Sequence, residues 1–117
     1  MNADEFKERT KRFGIRIIQF VQSMPRSGVG DVVYRQLLRA GTSVGANYRS
    51  ACRARSHAEF IAKMGIVEEE CDESIYWIEL LIGAGCVKTG AVRDLLEESE
   101  EILSLVVASL KTARSRK

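Results

Sequence analysis

The sequence predicts an all-α fold, an antiparallel up-down-up-down four-helix bundle that takes in residues 1–117 as a single domain. Four segments carry apolar residues at alternating steps of three and four, the spacing that places side chains on one face of a helix. The segments have similar lengths and are joined by short connections rich in small or helix-breaking residues. No useful length of sequence alternates with the period of two expected of a strand. A chain of 117 residues is long enough for one hydrophobic core and too short for two.

The first segment, about residues 3–24, is predicted to be a helix that ends before Pro25. Proline lacks a backbone N–H and restricts the residue before it, so the helix cannot continue, and residues 26–30 are predicted to form a loop. The apolar stripe of this segment consists of Phe6, Thr10, Phe13, Ile17, Phe20 and Met24.

The second segment, about residues 32–53, is predicted to be a helix capped by Asp31. Small residues such as Gly41 and Gly45 lower its helix propensity but let a neighbouring backbone come close, so tight packing is expected. Its stripe includes an amide, that of Asn47, which we interpret as a structural polar group that hydrogen-bonds the backbone or fixes helix register; contact with a ligand is the alternative. The full stripe is Val33, Leu37, Ala40, Val44, Asn47 and Ala51.

The third segment gives the strongest helix prediction in the chain. Ser56 and Glu59 stand three residues apart in a capping box, and the helix is expected to run from His57 to Ile82 before the sequence Gly83-Ala84-Gly85 ends it. Its stripe consists of Phe60, Met64, Val67, Cys71, Ser74, Ile78 and Leu81.

The fourth segment, about residues 90–113, is predicted to be a helix capped by Thr89. A basic tail follows it, and cations suit the negative end of a helix dipole. The stripe consists of Val92, Leu95, Ser99, Ile102, Val106 and either Leu110 or its neighbour Ser109.

The two halves of the chain carry opposite charge. Residues 1–56 hold 11 Lys/Arg against 4 Asp/Glu, and residues 57–117 hold 7 against 12, so a net charge of +2 conceals halves of +7 and −5. The odd number of cysteines without a CxxC pair argues against both a disulfide framework and a zinc knuckle. With no secretory signal and no apolar run long enough to span a membrane, we expect a cytoplasmic protein without a membrane partner.

Two outer stripes, out of phase with the predicted core, are candidate interaction surfaces. The stripe on the third segment mixes apolar residues with carboxylates and is a candidate oligomer interface. It consists of Ile66, Glu69, Glu73, Tyr76 and Leu80, with Trp77 beside it. The stripe on the second segment is basic, and its arginines are Arg35, Arg39, Arg49 and Arg53.

Self-association through these two stripes is the leading hypothesis, because their charges are opposite. A merely solvated basic face and a nucleic-acid surface are the alternatives. In the nucleic-acid case the arginines of the second segment would contact phosphates together with Arg114, Arg116 and Lys117 of the tail. Tyr48 beside Arg49 offers the aromatic-basic pairing used to stack on unpaired bases, although a tyrosine at the edge of the core is the commoner explanation. Recruitment of another protein by Tyr76, Trp77 and Leu80 is a further alternative.

The sequence contains no catalytic constellation. A di-metal site in a four-helix bundle needs two Glu-x-x-His motifs, and His57 is the only histidine of the chain. No serine or cysteine stands in a nucleophile elbow or has a second histidine to activate it. We therefore expect no enzymatic activity, no metal, no cofactor and no small-molecule substrate.

The sequence from Gln36 to Asn47, followed by Arg53-Ala54-Arg55-Ser56 and Glu59-Phe60, resembles a bacterial family of four-helix bundles. These are the 23S rRNA intervening-sequence proteins, first known from reading frames inside large-subunit ribosomal RNA genes, and the resemblance extends over essentially the whole chain. It implies a ring-forming bundle, typically a homopentamer, without established enzymatic activity. A looser likeness to the accessory protein of diversity-generating retroelements, whose basic surface engages nucleic acid, makes RNA a candidate partner. Many members carry an acidic residue shortly after the Asn of this motif, near Arg49 here, so a role of that acid does not transfer.

Overall fold

The computed structural model describes residues 1–25 and 28–116, and within them the chain folds into an antiparallel four-helix bundle. The rod measures 48 × 21 × 19 Å. Helix α2 packs against both α1 and α3, and α3 packs against α4, whereas α1 and α4 approach each other over a shorter length. The predicted fold class is confirmed. The helices are α1 (Ala3–Gln22), α2 (Gly30–Cys52), α3 (His57–Gly83) and α4 (Thr89–Ser115).

The predicted stripes of α1, α3 and α4 form the core, which confirms the alternating spacing as the organising pattern. Phe13, Val67 and Ile102 are each at most 1% exposed, and they belong to one hydrophobic cluster. Phe20, Met24 and Phe60, at or beyond helix ends, are only partly buried. Burial of this continuous stripe stabilises the bundle by roughly 25 cal/mol for each Å² of apolar surface removed from water.

Helix α2 is rotated slightly from the predicted stripe. Tyr34 and Tyr48 are buried, whereas Val33 and Asn47 are only partly buried. Positions 34, 37, 41, 44, 48 and 51 also follow steps of three and four, so both stripes fit the sequence pattern. The larger apolar area of the tyrosine rings decides between them.

The tight packing predicted for α2 is confirmed where it crosses α1. A Cβ atom added at Gly45 would lie 3.3 Å from the backbone carbonyl carbon and oxygen of Thr10, and one added at Gly41 would lie 2.7 Å from Cγ1 of Ile17. Both glycines therefore let the two helices approach more closely than any residue with a side chain could.

Two of the predicted helix caps are wrong, and a third cap, at the start of α1, was not predicted. Helix α2 begins at Gly30, so Asp31 lies in its first turn and pairs with Arg35 at 2.8 Å. Thr89 is the first residue of α4 and makes no capping hydrogen bond. By contrast, Asn2 and Glu5 form a reciprocal capping box at the start of α1. The predicted loop residues 26 and 27 lie outside the described residues.

The Ser56 cap is confirmed, and it gives a testable contrast with Thr89. The hydroxyl of Ser56 accepts a hydrogen bond of 3.0 Å from the backbone N–H of Glu59. We expect Ser56→Ala to lower the free energy of unfolding by about 1 kcal/mol, because an N–H at the helix start loses its partner. Thr89→Ala should change it by less than about 0.5 kcal/mol. Urea unfolding followed by circular dichroism measures both variants, and equal losses would contradict the assignment of the caps.

Candidate interaction surfaces

An exposed ridge runs along α3 at the positions of the predicted outer stripe. Ile66, Tyr76 and Leu80 are 42%, 53% and 38% exposed, which is unusual for apolar side chains arranged in one row. Trp77 is half-buried beside them, with its indole Nε1–H donating to Glu73 at 3.2 Å and its ring 5.1 Å from that of Tyr76. We call this surface the α3 ridge: Ile66, Glu69, Asp72, Glu73, Tyr76, Trp77 and Leu80.

A shallow groove between α1 and α2 lies on another side of the rod. Two depressions of about 300 and 410 Å³ share Ile18 and Thr42 and so form one continuous feature. Ile15 and Ile18 are 43% and 39% exposed along it. Gly14, Gly45 and Ala46 keep its floor low, because they bring little side-chain bulk. The ion-paired Asp31 and Arg35 lie at one end and three basic residues line the other, so the α1–α2 groove has an apolar middle and a positive end: Lys7, Lys11 and Arg49.

Arg35 and Arg39, two arginines of the predicted basic stripe, already have carboxylate partners inside the chain. Arg39 forms a hydrogen-bonded ion pair with Glu73 and reaches Glu70 at 3.3 Å. Burial raises the pKa of Glu70, and the neighbouring Arg39 opposes that shift. Within one chain, Arg39 and Arg35 are therefore paired with carboxylates of α3 and of α2 itself, and pairing of this stripe between subunits stays a prediction.

The remaining arginines that the sequence analysis singled out lie at one end of the rod: Arg49, Arg53, Arg114 and Arg116. This is the end where α2 and α4 terminate and α3 begins, as shown by a hydrogen-bond distance of 2.8 Å between His57 Nε2 and the carbonyl oxygen of Ala113. Lys63 Nζ donates to Ser50 at 2.6 Å and ties α3 to α2 nearby. The basic end comprises Arg49, Arg53, Arg55, Lys63, Lys111, Arg114 and Arg116.

Sequence reasoning missed Arg55 and Lys63, because their proximity to the α4 tail depends on how the helices pair. Lys117 lies outside the described residues. Glu59, 3.8 Å from Arg55, is a carboxylate on the same end, and Asp4 pairs with Lys7 at the start of α1. The start of α1 also lies at this end and adds the carboxylates of Glu5 and Glu8. All of the basic residues except Lys63 are exposed and they outnumber these carboxylates, so the basic end carries a local excess of positive charge.

Tyr48 is not available for stacking on a base, which corrects its role as a candidate nucleic-acid contact. Its side chain is 8% exposed and packs edge-on against Phe6 with ring centroids 4.7 Å apart. Burial, together with a hydrogen bond involving Cys52, raises the pKa of its hydroxyl. Tyr34 is likewise buried against Phe20. Both tyrosines therefore serve the core.

Asn47 has the structural role interpreted from the sequence, though from a half-buried position beside the core. Its Nδ2 donates to the backbone carbonyl of Ser43 at 2.8 Å, one turn earlier in α2. Among the described residues, no buried side-chain nitrogen or oxygen atom lacks a hydrogen-bond partner. The polar atoms of the core are thus accounted for by local bonds within helices, such as that of Thr10 to Phe6.

The described residues place no group of three or more His, Cys, Asp or Glu side chains where they could hold a metal ion. None of the described helices is long and apolar enough to cross a membrane. The thiol of Cys71 is buried, and that burial raises its pKa to about 12, so it remains protonated and unreactive near neutral pH.

The fold and these surfaces define a class: four-helix bundles that carry distinct apolar and charged faces around a fully satisfied core. The family model described as the 23S rRNA-intervening sequence protein matches residues 4–108, and the chain belongs to that family. It is also similar to a crystal structure described as a protein of unknown function from the S23 ribosomal protein family of Bacteroides thetaiotaomicron. That similarity has a TM-score of 0.86 and 32% identity, and covers 95% of this chain and 99% of the other. No curated protein matches this chain.

Proposed function

We propose that this chain is a non-enzymatic, self-assembling module in which the α3 ridge of one copy occupies the α1–α2 groove of the next. The single observation that carries the proposal is that one molecule bears two unpartnered faces of complementary character. The ridge presents apolar residues with exposed Glu69 and Asp72, and the groove presents exposed Ile15 and Ile18 with a basic end. Opposite charges fix orientation, and apolar burial supplies most of the free energy of association.

The two faces also match in length. The ridge from Ile66 to Leu80 and the α1 side of the groove from Lys7 to Val21 each cover 14 helical steps, or about 21 Å. Because ridge and groove are different surfaces, the contact is heterologous, and repeating it closes a ring or builds a filament. A ring agrees with the resemblance to the intervening-sequence proteins, from which five subunits are expected.

Complementation between two variants tests this arrangement. Tyr76→Glu places a charge in the ridge, and Ile18→Glu places one in the groove, so each variant alone is expected to be monomeric by size-exclusion chromatography with light scattering. The Ile18→Glu variant keeps an intact ridge, and the Tyr76→Glu variant keeps an intact groove. When the two are mixed, one ridge can occupy one groove and the other two surfaces are blocked, so the mixture is expected to form a dimer and nothing larger. Val32→Glu is the matched control, since Val32 is 64% exposed in α2 and should leave assembly unchanged.

A monomeric wild-type chain at micromolar concentration would overturn the proposal, and so would a mixture that stays monomeric. The second candidate function is a helical adaptor that uses Tyr76, Trp77 and Leu80 to recruit a different protein, favoured by the aromatic character of the ridge. A monomer whose ridge variant loses a partner from the native host would support that function. In either case we place the role in the cytoplasm, to which the unpaired thiols of Cys52, Cys71 and Cys86 are suited.

A further inference from the structure

We infer that the basic end of the bundle binds the phosphate backbone of a nucleic acid. The inference goes beyond self-assembly and does not depend on it. It rests on the antiparallel topology, which brings the α2–α3 connection beside the tail of α4 and so concentrates charges that are distant in sequence. The residues concerned are Arg49, Arg53, Arg55, Lys63, Lys111, Arg114 and Arg116.

Stabilisation of helix ends accounts for only part of this cluster. Arg49 and Arg114 lie in the last turns of α2 and α4, where cations complement the helix dipole. Arg53 and Arg55, however, lie in the α2–α3 connection, and the side chain of Arg55 is 91% exposed. Arg55 also reaches Glu59 at 3.8 Å, but so exposed a pair adds little stability, and both arginines remain accessible to a polyanionic partner.

The chemistry of the basic end favours phosphates over other anions. Five of its seven cations are arginines, whose planar guanidinium groups bind phosphate oxygens in a bidentate manner. A cleft of about 640 Å³ between the start of α3 and the end of α4 adds His57, Thr112 and Arg116 as exposed polar groups. Side chains of these types commonly contact the phosphates and sugars of nucleic acids.

The aromatic residues at this end indicate how the nucleic acid is bound. Phe6 and Tyr48 are buried, and Phe60 is partly buried, so the described residues at this end offer no fully exposed aromatic platform for unpaired bases. Binding is therefore expected to follow the backbone without reading sequence, and duplexes should bind at least as well as single strands. In an assembled ring the ridge of a neighbour would cover Arg49, which also lines the groove, whereas the other cations of the basic end lie outside the groove and several copies of them would add avidity.

Two charge-matched triple variants test the inference. Arg53→Gln, Arg55→Gln and Arg114→Gln remove three positive charges from the basic end; Arg16→Gln, Lys88→Gln and Arg93→Gln remove three from other exposed positions, toward the opposite end. Fluorescence anisotropy with a labelled RNA duplex, a DNA duplex of the same sequence and a single strand gives the dissociation constants. The basic-end variant should bind about tenfold or more weakly, with a salt slope smaller by about 2–3, while the control binds like the wild type.

Binding of RNA alone, of DNA alone or of both supports the inference and identifies the polymer. Absence of binding by the folded wild type overturns it, as does equal weakening in the two triple variants. Preferential binding to polyglutamate or to phosphatidylserine vesicles overturns it as well, because the partner would then be an acidic protein or a membrane. Light scattering on each variant reports assembly separately, so a failure here is distinguishable from failure of the ring.

Discussion

Alanine at position 41 is expected to lower the free energy of unfolding by about 1–3 kcal/mol, although alanine is the better helix former. The added Cβ would lie 2.7 and 3.0 Å from Cγ1 and Cγ2 of Ile17, distances at which something must move. Ile17 is fully buried, so its side chain has no open space to enter. Chemical unfolding of Gly41→Ala measures the loss.

Gly65 supplies the matched control, because it also lies inside a helix but has no neighbouring heavy atom within 4 Å of an added Cβ. Gly65→Ala should raise the free energy of unfolding by about 0.5–1 kcal/mol. In the double variant Ile17→Ala with Gly41→Ala the crowded atoms are gone, so its loss should be smaller than the sum of the single losses. Additive losses would show that contact with Ile17 is not the cause.

Removing the charge of Glu98 is expected to lower the free energy of unfolding by about 1–2 kcal/mol at neutral pH. Arg9 on α1 donates to both carboxylate oxygens of Glu98 on α4, at 2.7 and 2.9 Å, where the helices otherwise approach over only a short length. The side chains of Arg9 and Glu98 are only 25% and 17% exposed, so water screens the pair weakly. Glu98→Gln keeps the shape and loses the ion pair.

The stabilisation by the Arg9–Glu98 ion pair is expected to decrease in acid. The hydrogen bond from Arg9 lowers the pKa of Glu98, so the pair stabilises the folded chain above the unfolded pKa of about 4.3. That contribution is lost as the pH falls through the lower folded pKa, and the difference in free energy of unfolding between wild type and Glu98→Gln should shrink as the solution is acidified below the unfolded pKa. Glu101→Gln is the control, since that side chain is 66% exposed and its loss should cost less than about 0.5 kcal/mol. A difference that persists unchanged in acid would exclude the ion pair as its cause.

The helical architecture was predictable from the sequence because the alternating steps map directly onto helix faces. The α2 stripe was partly misplaced, since two overlapping patterns fitted, and the apolar area that Tyr48 and Tyr34 bury depends on their contacts with Phe6 and Phe20 of another helix. The caps show another limit: Asp31 and Thr89 have suitable side chains, but the helices begin one residue earlier or at the residue itself. Local residue type does not fix a helix start to within one residue.

Some features of the candidate surfaces could be predicted from local sequence, whereas others depend on how the helices pack. The α3 ridge was predictable because a second stripe on one helix is a local pattern. Pairing of Arg39 with Glu70 and Glu73 was not, because it requires the relative rotation of α2 and α3. The basic end is likewise a product of topology, since Arg55 and Arg114 reach the same end of the rod only because α4 runs back along α3.

Trp77 gives the α3 ridge an optical property of its own. It is the one tryptophan of the chain, and its indole lies half in water beside Tyr76. Indole emission moves to shorter wavelength when surrounding water is displaced. Binding of a second molecule to the ridge should therefore shift the emission maximum of the unlabelled chain to shorter wavelength. Dilution should reverse the shift as the copies separate.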